Sequence, residues 1–145
     1  YLNNRFKTNG EVLNTKTGSI IITDARLSNL DGIDGITNAF VSALWAVDFT
    51  IEAAMFGLKA VHFPVNIAAT SRQTVIGPAT TYIPQPIHYG LLFISMLSYA
   101  NGKIGLPTVT AGSSSRIKAY GFTSPTQMQI VLINKDTNVS ASGVV

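Results

Sequence analysis

Asp24 directly follows the run Ser19-Ile20-Ile21-Ile22-Thr23, and both its type and its place suggest chemistry. A short, continuously apolar run reads as a strand buried on both faces, as in a parallel sheet. Parallel α/β architectures keep catalytic side chains at the carboxyl ends of strands, where the following loops open to solvent. A carboxylate there is able to act as nucleophile or as general acid or base. The structural alternative stays open: Asp24 caps a turn or accepts a bond from a backbone amide. The chain has two glutamates, Glu11, in a polar leading segment, and Glu52, inside a helical pattern, where a helix-face or buried ion-paired role is expected.

The other candidates are weaker. His62 falls in a second apolar run and His88 at the start of a later helix, and without a third ligand nearby each is read as packed and hydrogen-bonded, so no metal site is expected. Asp31 and Asp34, separated by Gly32-Ile33, have too few oxygen ligands at alternating positions for a calcium loop, which leaves turn and cap roles. Trp45 lies beside an apolar helical stripe and is read as packing. There are no cysteines, so disulfides and thiolate metal sites are excluded. No cofactor is expected.

The elements that must hold these residues follow from periodicity. Residues 1–18 are polar and turn-rich. After the strand at 19–23 comes a loop from Asp24 to Gly35, then a helix beginning between Asp34 and Thr37. Ile36, Phe40, Leu44, Val47, Ile51 and Met55 form one stripe at spacings of three and four, and Gly57 closes the helix. The run from Ala60 to Val65 is a second strand, so strand, helix and strand make a parallel βαβ unit. Asn66 to Gln85 is a long aperiodic segment, of the kind that is functional or draped over a partner. Pro86 opens a further helix over Ile87 to Ala100, closed by Asn101-Gly102. From Arg116 the period becomes two, which predicts antiparallel strands at 117–122 and 129–134. Two βα units cannot close a (β/α)8 barrel, which needs about 250 residues.

Of the 145 residues 46% are hydrophobic, enough to bury a core, while 12% are charged, so part of the surface is expected to be covered. The net charge of +3 is scattered, with no basic run to mark a nucleic-acid or membrane partner. The apolar stretch Ile36 to Phe56 is broken by Asp48 and Glu52, which predicts a buried helix and no membrane span. The chain opens on Tyr1 with no basic and apolar leader, so any signal peptide is expected to have been removed or to lie upstream. Asn138-Val139-Ser140 is an N-glycosylation sequon compatible with secretion.

Several motifs in order resemble one family. Thr23-Asp24-Ala25 through Gly32, Gly35-Ile36-Thr37-Asn38-Ala39-Phe40 and Ala43-Leu44-Trp45-Ala46-Val47-Asp48-Phe49 look like the heparanase and β-glucuronidase glycoside hydrolases. Members of that family carry a strand ending in Glu, a Gly-rich loop, a Val/Ile-Ser-Asp/Asn-x-Phe helix start and an Ala-Leu-Trp-x-x-Asp helix. Tyr82-Ile83-Pro84 with His88-Tyr89-Gly90-Leu91-Leu92-Phe93, and Ile117-Lys118-Ala119-Tyr120 with Val131-Leu132-Ile133-Asn134-Lys135-Asp136, extend the match over residues 19–136.

The resemblance implies an α/β fold. Residues 19–102 would be the last two βα units of a TIM-type barrel and 103–145 the start of a β-sandwich. The rest of the barrel would come from the same precursor or a companion chain. It implies retaining hydrolysis of β-linked glucuronide-type glycans in a secreted, extracellular or lysosome-like compartment. Asp24 would be the nucleophile, Asn29, Asp31, Asn66 and Tyr82 would contact the glycan, and Asn138 would be glycosylated. The family has Glu-x-Asn-Ser where this chain has Asp24-Ala25-Arg26-Leu27. Retaining enzymes hold two carboxyl groups about 5 to 5.5 Å apart. Shortening one by a methylene withdraws it by roughly 1 Å, enough to lower the rate about a hundredfold. The acid/base Glu lies in the N-terminal half of family members, outside this chain. Weakened or lost activity is therefore expected, and the alternative is a non-catalytic carbohydrate-binding or structural glycoprotein subunit of the same fold.

Overall fold

The computed structural model describes residues 20–28, 32–65, 83–97, 109–114, 116–123 and 128–136, in two compact units, Tyr1–Ile94 and Ser95–Val145. The elements are β1 (Ile21–Ile22), α1 (Phe40–Met55), β2 (Ala60–Val61), α2 (Pro86–Leu97), β3 (Val109–Ser114), β4 (Ile117–Thr123) and β5 (Met128–Asn134). Helices and strands are mixed, and the class is α/β.

In the first unit β1 and β2 pair in parallel, Ile21 opposite Ala60 and Ile22 opposite Val61, with α1 between them in sequence. The Lys59 amide donates to the Ile20 carbonyl and the His62 amide to the Ile22 carbonyl, each at 2.8 Å, and the Ala25 amide returns a bond of the same length to His62. The regular strands are shorter than the apolar runs at 19–23 and 60–65. They are also less buried than expected, with Ile21 44% exposed. A strand in a parallel sheet is covered only when it is flanked and both its faces are packed. Among the described residues β1 and β2 have only each other.

Helix α1 starts at Phe40, later than the Asp34–Thr37 expectation, because residues 33–38 are taken up by a turn of their own. The Thr37 hydroxyl accepts from the Ile33 amide and donates to the Ile33 carbonyl, both at 2.9 Å. Asn38 accepts from the Gly35 amide at 2.8 Å and donates to the Asp34 carboxylate at 2.9 Å. This gives Asp34 the turn role expected of it. The cap residue Ala39 has no side chain to offer the first amides, and the Ser42 hydroxyl instead donates to the Ala39 carbonyl at 2.8 Å. At the other end the Gly57 amide donates to Ala54 and the Leu58 amide to Ala53, both at 3.0 Å, with Gly57 at φ +75°. That is a Schellman closure, for which glycine pays no Cβ penalty.

The buried face of α1 includes only the middle of the apolar stripe, Val47 and Ile51, together with the small residues beside it. Ser42, Ala43, Ala46, Val47, Phe49, Ile51 and Ala53 are buried, whereas Phe40 is 72% exposed and Ile36 and Met55 are also exposed. On this face α2 comes close at Ala43. A Cβ built on Gly90 would stand 2.6 Å from the Ala43 carbonyl oxygen and 3.2 Å from Ala43 C and Cα, so the two backbones meet with no room for a methyl. Ile87, one turn before, is fully buried. Trp45 packs against Phe49 and Phe63, with ring centroids 5.2 and 5.8 Å away.

In the second unit β3, β4 and β5 form an antiparallel sheet in that order. The period-two runs at 117–122 and 129–134 are strands β4 and β5, paired without interruption from Ile117 opposite Asn134 to Thr123 opposite Met128. One face buries Tyr120, Phe122, Val131 and Ile133, while Ile117, Met128, Ile130 and Leu132 on the other are exposed. Strand β3, whose Val-Thr-Ala-Gly-Ser-Ser composition carries no alternation, pairs with β4 through a register shift between Ala111 and Ser114. Arg116 and Asp136 form an ion pair at 3.1 Å beside the β4–β5 ladder.

Candidate functional site

Asp24 is set by the backbone on either side of it. Two residues earlier β1 ends, and one residue later Ala25, 3% exposed, fixes its amide to the His62 carbonyl. The chain is thereby held to β2 just as it leaves the sheet. Because the two strands are parallel, Asp24 and the segment from His62 to Val65 emerge at the same carboxyl edge. In open α/β sheets, ligands bind in the crevice outside that edge.

The Asp24 side chain is 48% exposed, and Arg26, at 23%, donates its Nε–H to Asp24 Oδ1 at 2.7 Å. An ion pair this close to solvent contributes only about 0.2–1 kcal/mol to stability. Its chemical effect is more direct, since an always-charged guanidinium occupies one oxygen of the carboxylate that would attack or take a proton. Arg26 was legible in the sequence only as a departure from the Glu-x-Asn-Ser pattern. Opposite charges two residues apart in a loop were the available signal for the pair.

The remaining candidates divide clearly. His62 is exposed at the same edge, and its backbone carries two of the bonds that hold the parallel pair. His88 lies in α2, half-buried, edge-on to Tyr89 at 5.5 Å. Glu52 is buried in α1 with Asp48 one turn before it, 6% and 7% exposed. This places Glu52 inside the helix packing, in keeping with the buried role expected of it. Glu11, Asn29, Asp31, Asn66, Tyr82 and Asn138 lie outside the described residues. Among the described residues no group of three or more His, Asp or Glu is arranged to hold a metal ion, and no helix is long and apolar enough to cross a membrane.

No family model matches the chain, and no curated protein matches it.

Proposed function

We propose that this chain is the C-terminal part of a heparanase-like retaining glycoside hydrolase acting on β-linked glucuronide-type glycans, with Asp24 at the nucleophile position and hydrolysis weakened. The observation that carries the reading is the exposed carboxylate of Asp24 at the carboxyl end of a strand in a parallel βαβ unit. That is where (β/α)8 enzymes keep their catalytic groups. Residues 19–102 supply the last two βα units of the barrel and 103–145 the first strands of a β-sandwich. The same precursor or a companion chain brings the other strands and the acid/base Glu. Exposure of Ile21 at the parallel pair supports a chain that packs against further polypeptide. The protein works in a secreted or lysosome-like compartment, glycosylated at Asn138.

One observation favours a second reading, a non-catalytic carbohydrate-binding or structural subunit of the same fold. Arg26 holds Asp24 Oδ1 at 2.7 Å, so the loop at the nucleophile position is closed by an ion pair within the chain. Hydrolysis of a chromogenic β-glucuronide by the complete protein, compared with Asp24→Asn, separates the two. The enzyme reading expects the substitution to lower the rate by at least about a hundredfold. Equal measurable rates exclude Asp24 as nucleophile. No hydrolysis by either protein, with retained binding to an immobilised glucuronide glycan, supports the second reading, and loss of both activities rules out the two together.

A further inference from the structure

The two edges of the antiparallel sheet are unlike. A sheet edge presents unpaired N–H and C=O groups, and proteins blunt it with bulges, prolines or charges. β3 has such a device, the register shift between Ala111 and Ser114. β5 has none. Its seven residues, Met-Gln-Ile-Val-Leu-Ile-Asn, contain no charge and no proline, and they pair with β4 in unbroken register. Among the described residues no strand lies along its other side.

The direction of the backbone groups follows from one bond. The Lys135 amide donates to the Arg116 carbonyl at 2.6 Å, which makes 116 and 135 a hydrogen-bonded pair. Such pairs alternate along an antiparallel ladder. Gln129, Val131 and Ile133 therefore turn their amides and carbonyls toward β4, and Met128, Ile130, Leu132 and Asn134 turn theirs to the outer edge. The side chains of Met128, Ile130 and Leu132 are 65%, 62% and 69% exposed on one face, while Val131 and Ile133 are buried on the other.

We propose that the outer edge of β5 pairs antiparallel with β5 of a second copy of this chain, about a two-fold axis through Val131. About that residue the apolar pair Ile130 and Leu132 is symmetric, while Gln129 falls opposite Ile133. Ile130 falls opposite the second copy's Leu132, Met128 opposite its Asn134, and Val131 opposite itself. The residues brought together as hydrogen-bonded pairs are the four whose backbone groups already face outward, so the two copies exchange about eight N–H···O bonds. Ile130 and Leu132, opposed on the exposed face of both strands, join two apolar patches into one. An uncharged strand brings no repulsion to its own copy, although the chain carries a net charge of +3. The bulged edge of β3 stops the six-stranded sheet from growing further.

Sedimentation equilibrium over a range of concentrations, with amide hydrogen exchange on the same samples, tests this. The expected result is a reversible dimer, with the amides of Met128, Ile130, Leu132 and Asn134 protected in the dimer and exchanging on dilution. Those of Gln129, Val131 and Ile133 stay protected throughout. The double variant I130K/L132K places like charges opposite one another across the axis and raises the dissociation constant by at least about a hundredfold. Mixing it with I130E/L132E restores association as heterodimers. Leu132→Pro removes an outward amide without touching the ladder to β4 and also gives monomer. Protection of Gln129 and Val131 in each variant shows that the sheet is still folded. Ile117→Lys charges the same exposed face away from the edge and leaves the dimer intact. Four results overturn the proposal: monomer at every concentration, outward amides still protected in the monomer, a dimer indifferent to I130K/L132K, or a dimer lost through Ile117→Lys alone.

Discussion

Gly90→Ala tests the close approach of α2 to α1 at Ala43. In an open helix the change would stabilise by about 1 kcal/mol, because alanine is the better helix former. Here the new Cβ would lie 2.6 Å from the Ala43 carbonyl oxygen. Close C···O contacts settle near 3.3 Å, so the helices must part by roughly 0.7 Å. The obstructing atoms are the Ala43 carbonyl oxygen, C and Cα, held within α1, and no side-chain rotation relieves them. Overpacking of this kind costs about 1–3 kcal/mol, and a backbone obstacle falls at the upper end. Offset by the propensity gain, the net loss is about 1–2 kcal/mol, which lowers the urea midpoint by about 0.5–1 M at an unchanged slope. Trp45, the only tryptophan, lies on α1 two residues from Ala43 and reports the transition by fluorescence. Ala43→Gly should not rescue the variant, since it removes none of the obstructing atoms. A Gly90→Ala protein as stable as the parent, or a rescue by Ala43→Gly, would refute the close approach of the helices.

Two further substitutions address the ends of α1. Thr37→Val keeps the shape of a fully buried side chain but removes both bonds to Ile33, and should destabilise by about 1–2 kcal/mol in the same urea titration, with Thr37→Ser retaining most of the stability. Gly57→Ala meets open space, so its expected loss of about 1–2 kcal/mol comes from φ +75° alone, and Gly57→Asn should recover part of it; equal stability of all three proteins would remove the conformational explanation.

Strong local signals carried the fold in the sequence. The parallel βαβ order followed from two apolar runs around a periodic segment, and Pro86 and Gly57 marked a helix start and a helix end by backbone restrictions that neighbours do not change. The buried face of α1 was not legible in the same way. Periodicity ranks stripes by side-chain size, whereas Ala43 meets Gly90 of α2 on a face without bulk. The late start of α1 was hidden for a related reason. Asp34, Thr37 and Asn38 are all capping types, and only the geometry reveals that they bond to one another and to the turn, leaving Ala39 at the boundary. Strand β3 lacks any alternation to read, since β4 recruits it through its backbone. At the site, position marked Asp24, whereas its engagement by Arg26 depends on the path of a loop that composition does not encode.

The connection from α1 to β2 has a consequence for which length variants this fold will tolerate. Between Met55 and Ala60 every amide is committed: Phe56 to Glu52, Gly57 to Ala54, Leu58 to Ala53 and Lys59 to Ile20. Inserting or deleting a residue there breaks the helix closure or shifts β2 against β1 by one place, and such a shift turns each side chain of the strand to the opposite side. The path from β1 to α1 is longer and closed by its own side-chain turn at 33–38, so it can lengthen without moving either strand. Drift in chain length should therefore accumulate at the edge bearing Asp24, and the opposite edge should stay fixed in length.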